Sequence, residues 1–200
     1  DPVVHRTFIV FSLGDARKTS TWSNVPYFFT RMLERHGYMV ERVNIAPQRQ
    51  VQLLFDLPWK AYCRLMGKQT KFTYLRSGIN RTLTNAKIAR AIKRHPEGNC
   101  IFMTYSFGTG DAERPYTLFC DQTFAQHIAY FDERKPDSLE TPTIAAERKN
   151  LRDASTIIAL FPEVAEDLRL QHGAKVKYYG NVRNIDPPAI DGDVLMAGVL

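Results

Sequence analysis

The segment that decides the fold runs from Pro115 to Asp186. It contains two strand-like runs, YTLFC at 116–120 and STIIALF at 155–161, and each leads through a polar tip into a helical pattern. A third short run, residues 176–179, follows the last helix. This order of strand, polar tip and helix is typical of a parallel sheet that presents chemistry at the carboxyl ends of its strands.

The beginning of the chain repeats the same unit. Residues 7–13 are apolar and β-branched and predict a buried strand. A helix follows over 23–36, with Ser23 as its N-cap and Pro26 in its first turn. Residues 39–45 alternate and predict a strand at an edge of the sheet. The helix is expected to turn an apolar stripe inward, formed by Phe28, Phe29, Met32 and Leu33.

The middle of the chain adds two helices and one strand. We expect a helix over 50–66, which contains Pro58, and a strand over 99–105. A second helix, over 79–93, is predicted to bury the face carrying Ile79, Leu83, Ala86, Ala89 and Ile92. The whole pattern predicts an α/β fold: a Rossmann-like, doubly wound parallel sheet of about six strands. This domain covers 1–186, and residues 187–200 form a linker or the start of another domain.

Composition places the chain among globular proteins. Its 200 residues are enough for one domain with a real core, and no apolar run reaches the roughly 18 residues of a membrane span. It begins with neither Met nor a signal peptide, so we expect it to be a piece of a longer protein. Cys63, Cys100 and Cys120 lack metal-ligand spacing and predict reduced, buried thiols in the cytoplasm.

The net charge of +6 is concentrated in one region. Residues 57–95 hold ten basic side chains and no acidic one. A solvated face, an anionic membrane or lipid pyrophosphate, and nucleic acid all explain such a run. No helix-turn-helix, RNA-binding or OB signature supports nucleic acid. The apolar stretch 51–66 suits a helix lying in a membrane surface. The residues expected to meet that surface are Trp59, Lys60, Arg64, Lys68 and Lys71.

Polar residues at the strand tips are candidates for chemistry. Asp121 follows a strand and is positioned to accept a hydrogen bond or a proton from a substrate hydroxyl. The alternative is that Asp121 or Thr123 caps the next helix. Glu163 lies in the first turn of a helix, where the helix dipole is a sufficient reason for an acid. Glu147 lies in mid-helix, a position typical of an ordinary solvated residue.

Several familiar motifs are missing. No Gly-x-Gly-x-x-Gly follows the first strand, and no Walker loop is present. The loop 14–22 either wraps a substrate, with Arg17 or Lys18 on a phosphate, or is a mobile surface loop. Asp191-Gly192-Asp193 spells a metal-binding Asp-x-Asp but does not follow a strand of the sheet, so chance explains it. The histidines have no zinc spacing, and we expect no metal.

A series of short motifs carries a resemblance to a known family. In order, they are Glu147, Asp153-Ala154, residues 157–160, Pro162-Glu163, Gly173, and Gly180-Asn181 with Asn184 and Asp186. Together they resemble the N-terminal domain of GT-B glycosyltransferases of the retaining, family-4 type. Ser23-Asn24-Val25-Pro26 stands where that family opens its first helix. The chain departs from the family in having only Gly14 where paired glycines are usual.

The resemblance implies an enzyme that moves a sugar from a nucleotide-sugar to a hydroxyl of a glycan or glycolipid, with retention and without a metal. This chain would bind the acceptor and no cofactor, while a C-terminal domain binds the donor, so the isolated chain is expected to be inactive. Asp121 would be catalytic, and Glu147 would accept a structural hydrogen bond. The acceptor would contact Gly14, Ser23, Asn24, Ser106, Gln122, Thr123 and Glu163.

The implied location is cytoplasmic, peripheral at the inner face of the membrane. Two other classes of protein remain open. One is a single-domain Rossmann-like enzyme such as an epimerase fragment or a hydrolase, which the missing glycine fingerprint and nucleophile elbow disfavour. The other is a non-enzymatic module that uses the basic 57–95 region to bind a membrane surface or a partner.

Overall fold

The protein is described by a computed structural model that covers residues 6–111 and 113–179. Predictions that concern Gly180-Asn181, Asn184, Asp186, the 186/187 domain boundary and Asp191-Gly192-Asp193 lie outside the described residues. The strands are β1 (Thr7–Ser12), β2 (Met39–Asn44), β3 (Asn99–Phe102), β4 (Tyr116–Cys120), β5 (Thr156–Ala159) and β6 (Val176–Lys177). The helices are α1 (Val25–Arg35), α2 (Arg49–Leu65), α3 (Gly78–Arg94), α4 (Phe124–Phe131), α5 (Thr141–Asp153) and α6 (Pro162–His172).

All six strands form one parallel sheet in the order β2-β1-β3-β4-β5-β6. The chain first pairs β2 on one side of β1 and then crosses to the other side with β3. The winding direction therefore reverses between β1 and β3. This is the doubly wound α/β fold that the strand pattern predicts, with β2 at an edge as expected.

Side chains of the central strands alternate between two apolar layers, as the pleat requires. Ile9 and Phe11 of β1 enter the larger core, where Phe11 stacks on Phe102 with ring centroids 4.5 Å apart. Val10 enters the second core, which α1 covers with Val25 and Leu33. Helices α3, α5 and α6 cover the first face. Because both faces are buried, the strands read as continuous apolar runs and not as alternating ones.

Helix α3 is confirmed, but the predicted inward face is wrong. The helix buries Asn80, Thr84, Ile88 and Ala91. Ile79 and Leu83 are instead 65% and 54% exposed. The start of the helix explains this orientation. Ser77 accepts the backbone N–H of Asn80, and the Asn80 side chain donates to the carbonyl of Leu75, so this turn faces inward.

Helix α1 also begins differently from the prediction. Trp22, Ser23 and Asn24 have φ values of 39°, 52° and 71°, a run of left-handed backbone that is uncommon for residues other than glycine. Asn24 is the N-cap, so the prediction of Ser23 as the cap is wrong. Pro26 lies in the first turn as predicted. The unusual backbone brings Trp22 against the end of the sheet, where it packs on the second core.

Candidate functional site: a cavity at the carboxyl edge of the sheet

A cavity of about 320 Å³ opens where the carboxyl ends of β1, β3 and β4 meet. It lies at the point where the winding direction of the sheet reverses, which is the usual place for a ligand in an open α/β sheet. Leu13, Trp22, Met103 and Phe107 supply much of its apolar wall. Its polar wall is formed by Arg76, Arg81, Thr104, Ser106, Asp121 and Thr143.

Asp121 follows β4 directly and is half-buried in this wall. Its Oδ1 accepts the backbone N–H of Gln122 at 2.9 Å. That bond fixes the carboxylate and leaves lone pairs of both oxygens for a ligand. The cap of the next helix is Thr123, whose Oγ1 accepts the N–H of Gln126 at 3.2 Å, while Gln126 Oε1 accepts the N–H of Thr123 at 2.8 Å. Asp121 is therefore not needed as the cap of α4.

Ser106 lies beyond β3 and connects the cavity to a buried carboxylate. Its hydroxyl donates to Glu147 Oε1 at 3.1 Å, and the backbone N–H of Phe124 donates to Glu147 Oε2 at 3.2 Å. Burial raises the pKa of Glu147 to about 7, although these two hydrogen bonds and the charges of Arg76 and Arg81 act to lower it. Glu147 therefore accepts a structural hydrogen bond, as the resemblance implies, and this bond orients the hydroxyl of Ser106.

Tyr105 lies beside these groups and stays a neutral phenol at physiological pH. Burial raises the pKa of its hydroxyl well above the usual value, and the nearby charges of Glu147 and Asp121 raise it further. Two threonine hydroxyls complete the polar wall. Thr104 Oγ1 accepts the N–H of Ser106 at 3.2 Å, and Thr143 Oγ1 donates to the carbonyl of Arg76 at 3.1 Å. Each hydroxyl retains hydrogen-bonding capacity for a ligand.

Two arginines bring positive charge to the cavity. The Arg76 guanidinium lies 3.9 Å from the ring centroid of Phe124, and its Nη1 donates to the carbonyl of Lys71 at 3.0 Å. Arg81 lies in the first turns of α3. Among residues 6–111 and 113–179, neither guanidinium forms an ion pair with a carboxylate.

The loop after β1 contributes Trp22 and Pro26 to the cavity, but not the residues that the sequence singled out there. Gly14 donates its N–H to Asn44 Oδ1 at 3.2 Å and has a φ of 134°. A Cβ at this position would lie 2.8 Å from Thr21 Cγ2, so glycine is needed for packing of the loop. Ser23 and Asn24 form the left-handed turn and do not line the cavity.

The structure thus brings together two of the eight predicted catalytic and acceptor-binding residues, Asp121 and Ser106. Gln122 and Thr123 are taken up in the turn and cap that follow Asp121. Glu163 lies exposed in the first turn of α6 and does not line the cavity. Its position there agrees with the helix-dipole explanation.

The residues expected at a membrane lie on or just after α2. Trp59 is half-buried and donates from Nε1 to the carbonyl of Phe72 at 3.0 Å. Lys68 lies over the ring of Tyr62, and Lys71 pairs with Asp132 at 3.1 Å. Lys60 and Arg64 are exposed. Buried Asp56, which accepts the N–H of Tyr74 at 2.7 Å, holds the inner face of this helix.

The outer face of α2 is apolar. Leu54 and Leu65 are 77% and 84% exposed, and Leu57 is 61% exposed. A shallow groove of about 480 Å³ runs along the helix between Leu54, Phe55, Pro58, Trp59 and Tyr62. Charged side chains are missing from its lining, and the Tyr62 hydroxyl is its main polar group. The groove is therefore less suited than the cavity to fix the orientation of a hydroxylated ligand.

Sequence reasoning missed Arg76, Arg81, Tyr105 and Thr143 as parts of the site. Arg76 and Arg81 were visible only as members of the basic run, which does not show which side chains turn inward. Trp22 stood at the end of a loop already suspected of wrapping a substrate, so its position was the strongest available signal. No signal in the sequence pointed to Thr143, because it lies in a polar helix far from any strand tip in the sequence.

Neither protein-family models nor curated proteins give a match to this chain. Among the described residues, no group of three or more His, Cys, Asp or Glu side chains is placed to hold a metal ion. Helices long and apolar enough to cross a membrane are likewise missing from the described part of the chain. The structure defines a Rossmann-like α/β domain. Because this fold occurs with many different functions, the cavity and not the fold indicates what the chain binds.

Proposed function

We propose that this chain is the acceptor-side domain of a GT-B glycosyltransferase, and that the cavity at the carboxyl edge of the sheet is its acceptor site. The observation that carries the proposal is that the Asp121 carboxylate and the Ser106 hydroxyl line the same cavity. This cavity lies where the winding direction of the sheet reverses. The resemblance of the 147–186 motifs to the retaining, family-4 type supports the same class.

The cavity has the chemistry that a sugar acceptor requires. A sugar presents hydroxyl groups around a ring with apolar C–H faces. Asp121, Ser106 and Thr104 offer acceptors and donors for the hydroxyls, while Trp22 and Met103 offer apolar surface for the ring. A small number of polar groups placed among apolar ones fixes the orientation of such a ligand.

Asp121 is the catalytic group in this proposal. A carboxylate that accepts a hydrogen bond from the acceptor hydroxyl holds that oxygen toward the donor sugar and takes up its proton as the new bond forms. The nucleotide-sugar donor is bound by a second, C-terminal domain across the cleft. This chain therefore holds the acceptor and its proton, and the partner domain holds the leaving group.

The test uses the natural full-length protein with a panel of UDP-, GDP- and ADP-sugars. We expect release of nucleotide from one donor and an increase in that release when the right glycan is added. Asp121→Asn should reduce turnover on the order of 100-fold, the usual contribution of a general base. Glu97→Gln is the control, because Glu97 is exposed just before β3, at the opposite edge of the sheet.

The outcomes separate the parts of the proposal. No nucleotide release with any donor, and no donor-induced rise in melting temperature, would exclude the glycosyltransferase. Full turnover by the Asp121→Asn variant would keep the enzyme class but remove the catalytic role from Asp121. Equal losses in both variants would show that the effect is not specific to the cavity.

A second candidate function is attachment to an anionic membrane surface, and α2 favours it. Residues 54, 58, 61 and 65 follow helical spacing on one face, opposite buried Asp56 and Cys63. This outward face is mainly apolar, and Lys60 and Arg64 lie beside it. A helix that buries its apolar face at a lipid surface, with basic side chains toward the head groups, has this arrangement.

Vesicle co-sedimentation tests this candidate. The chain should bind vesicles containing phosphatidylserine, bind neutral vesicles less, and lose binding as salt is raised. Leu65→Ser should weaken binding, whereas Leu170→Ser on α6 should not, and both side chains are 84% exposed in the chain. Equal losses from the two substitutions, or binding without dependence on lipid charge, would contradict attachment through α2.

A further inference from the structure

The two arginines of the cavity wall have no carboxylate partner among the described residues, as noted above. Arginine offers five N–H donors in a fixed fork. Arg76 uses one of them on the Lys71 carbonyl, and Arg81 has no side-chain hydrogen bond within the described residues. Both side chains are only partly exposed. Most of their donors are therefore available to a ligand in the cavity.

Arg76 is held in place before any ligand arrives. Its guanidinium lies over the ring of Phe124, 3.9 Å from the centroid, and this contact adds cation–π attraction to the hydrogen bond on the Lys71 carbonyl. The ring itself is fully buried, and its backbone N–H is bonded to Glu147. A preorganised arginine loses little conformational entropy when it binds.

The charges around the cavity do not cancel. Asp121 is the one carboxylate that lines it in the described structure, against two guanidinium groups. Glu147 lies behind Ser106 and is 3% exposed, so it is not in direct contact with the cavity. Tyr105 is a neutral phenol. A neutral sugar would leave both guanidinium groups without a charged partner in direct contact, since Glu147 acts on them only through space.

We propose that Arg76 and Arg81 form a phosphate-binding subsite, so that the acceptor is a phosphorylated sugar or a glycan carried on a phosphate. This inference rests on the proposed function in taking the ligand of the cavity to be the acceptor. A phosphate monoester offers three strong acceptor oxygens, so both guanidinium groups can donate to it, whereas a carboxylate offers only two oxygens. Arginine also suits the tetrahedral group because its fork donates two hydrogen bonds to one phosphate.

The positions of the lining residues indicate which end of the ligand each side of the cavity binds. The phosphate lies on the arginine side, near the turn Tyr74–Arg76 and the start of α3, and the sugar ring extends toward Asp121 and Ser106. The phosphate fixes one end of the ligand, which places a hydroxyl at the other end against the carboxylate. Binding energy at a remote charged group is thereby used to position the reacting oxygen.

Titration calorimetry with the chain tests the subsite. The probes are inorganic phosphate, glucose 1-phosphate, glucose, glucuronate and UDP-glucose. We expect glucose 1-phosphate to bind at least about tenfold more tightly than glucose, the effect of one or more charge-assisted hydrogen bonds. Arg81→Gln should remove most of that advantage. Arg90→Gln, which removes the same charge from an exposed position of α3, should not.

Four results would overturn the subsite. They are equal binding of glucose and glucose 1-phosphate, a gain with glucuronate as large as with phosphate, stronger binding of UDP-glucose than of glucose 1-phosphate, and equal losses in the Arg81 and Arg90 variants. The third would assign the arginines to the donor. Melting curves of each variant check that the fold is intact, and Arg76→Lys, which keeps the charge but not the fork, tests the geometry.

Failure of this inference is distinguishable from failure of the proposed function. Phosphate binding that depends on Arg81, in a full-length protein that turns over no nucleotide-sugar, would keep the subsite and exclude the glycosyltransferase. Sugar transfer to a neutral acceptor, unaffected by Arg81→Gln, would keep the enzyme and exclude the subsite.

Discussion

The N-cap and the middle of α5 each hold a buried glutamate, and the two environments shift its pKa in opposite directions. Glu140 is the N-cap residue of this helix and is 0% exposed, while Glu147 lies two turns later and is 3% exposed. Burial raises the pKa of a carboxyl in both places. At Glu147 it prevails and the pKa rises to about 7, whereas at Glu140 the partners outweigh it and hold the pKa at about 2.

The partners explain the difference. Arg134 donates to both oxygens of Glu140, at 2.7 and 2.8 Å, and the backbone N–H groups of Lys71 and Asp137 donate at 2.6 and 2.9 Å. Glu147 has one hydroxyl and one N–H, and its arginines act only through space. Equal loss of solvent exposure therefore does not imply equal charge, because the depth of burial and the number of donors in direct contact together decide which protonation state the fold favours.

The largest expected effect is the loss of the Glu140 ion pair. Glu140→Gln should cost about 1.5–3 kcal/mol of unfolding free energy at pH 7, the value of hydrogen bonds to a charged group, because the Arg134 guanidinium then keeps only Asp132, at 3.5 Å, as a counter-charge. Urea unfolding followed by circular dichroism measures it. A cost below 1 kcal/mol, the range of an exposed ion pair, would show that the segment near Lys71 is not held by this contact.

The second prediction concerns acid stability. The folded-state pKa of Glu140, about 2, is below its usual value of 4.5, so its contribution is complete above pH 4.5 and is lost as the pH falls toward 2. The stability gap between the wild type and Glu140→Gln should therefore shrink across this window. A gap that stays constant from pH 5 to pH 2.5 would contradict the depressed pKa.

Glu147 should behave in the opposite sense. Its folded-state pKa of about 7 exceeds the usual 4.5, so its contribution is complete below pH 4.5 and is lost as the pH rises through 7. Relative to the wild type, Glu147→Gln should gain stability between pH 5 and pH 8, because the amide is never charged. Unfolding free energies of the two proteins at four pH values test this prediction. A difference between them that does not change with pH would show that Glu147 does not titrate in this range.

The smallest expected effect sharpens the account of Glu147. Ser106→Ala removes one of its two donors and should cost about 0.5–1.5 kcal/mol, the net value of one hydrogen bond. The pKa of Glu147 should also move further up, since a donor to the carboxylate is gone. A carboxyl carbon titration by NMR measures that shift, and a downward movement would mean that the hydroxyl does not donate to Glu147.

Much of the fold was readable from the sequence because its strands are strongly apolar. The six described strands and helices α1, α2 and α3 lie within about three residues of their expected positions, as element boundaries usually do. The inward face of α3 was not readable. Its buried positions include the polar residues Asn80 and Thr84, so the buried face of the helix is not its most apolar face. Hydrogen bonds at the start of the helix decide which face turns inward.

The candidate site was readable only in part. Asp121 and Ser106 were found because they follow strands, and parallel strands end at one edge of a sheet. Arg76 and Arg81 belong to a basic run in which Lys60 and Arg64 face outward, and composition alone does not separate the two pairs. Glu147 was recognisable as a hydrogen-bonding residue, but its neutral tendency depends on burial and on how few donors reach it.

Local apolar patterns and short connections in the sequence set the order of strands and helices, the parallel sheet and the edge of the sheet at which the cavity lies. Only the tertiary structure decided which helix face is buried, which arginines enter the cavity, and which glutamate of α5 stays charged. Those outcomes depend on contacts between residues far apart in the chain, such as Lys71 with Glu140 and Ser106 with Glu147. The hydrogen bonds and burial that set them exist only after the elements have packed together.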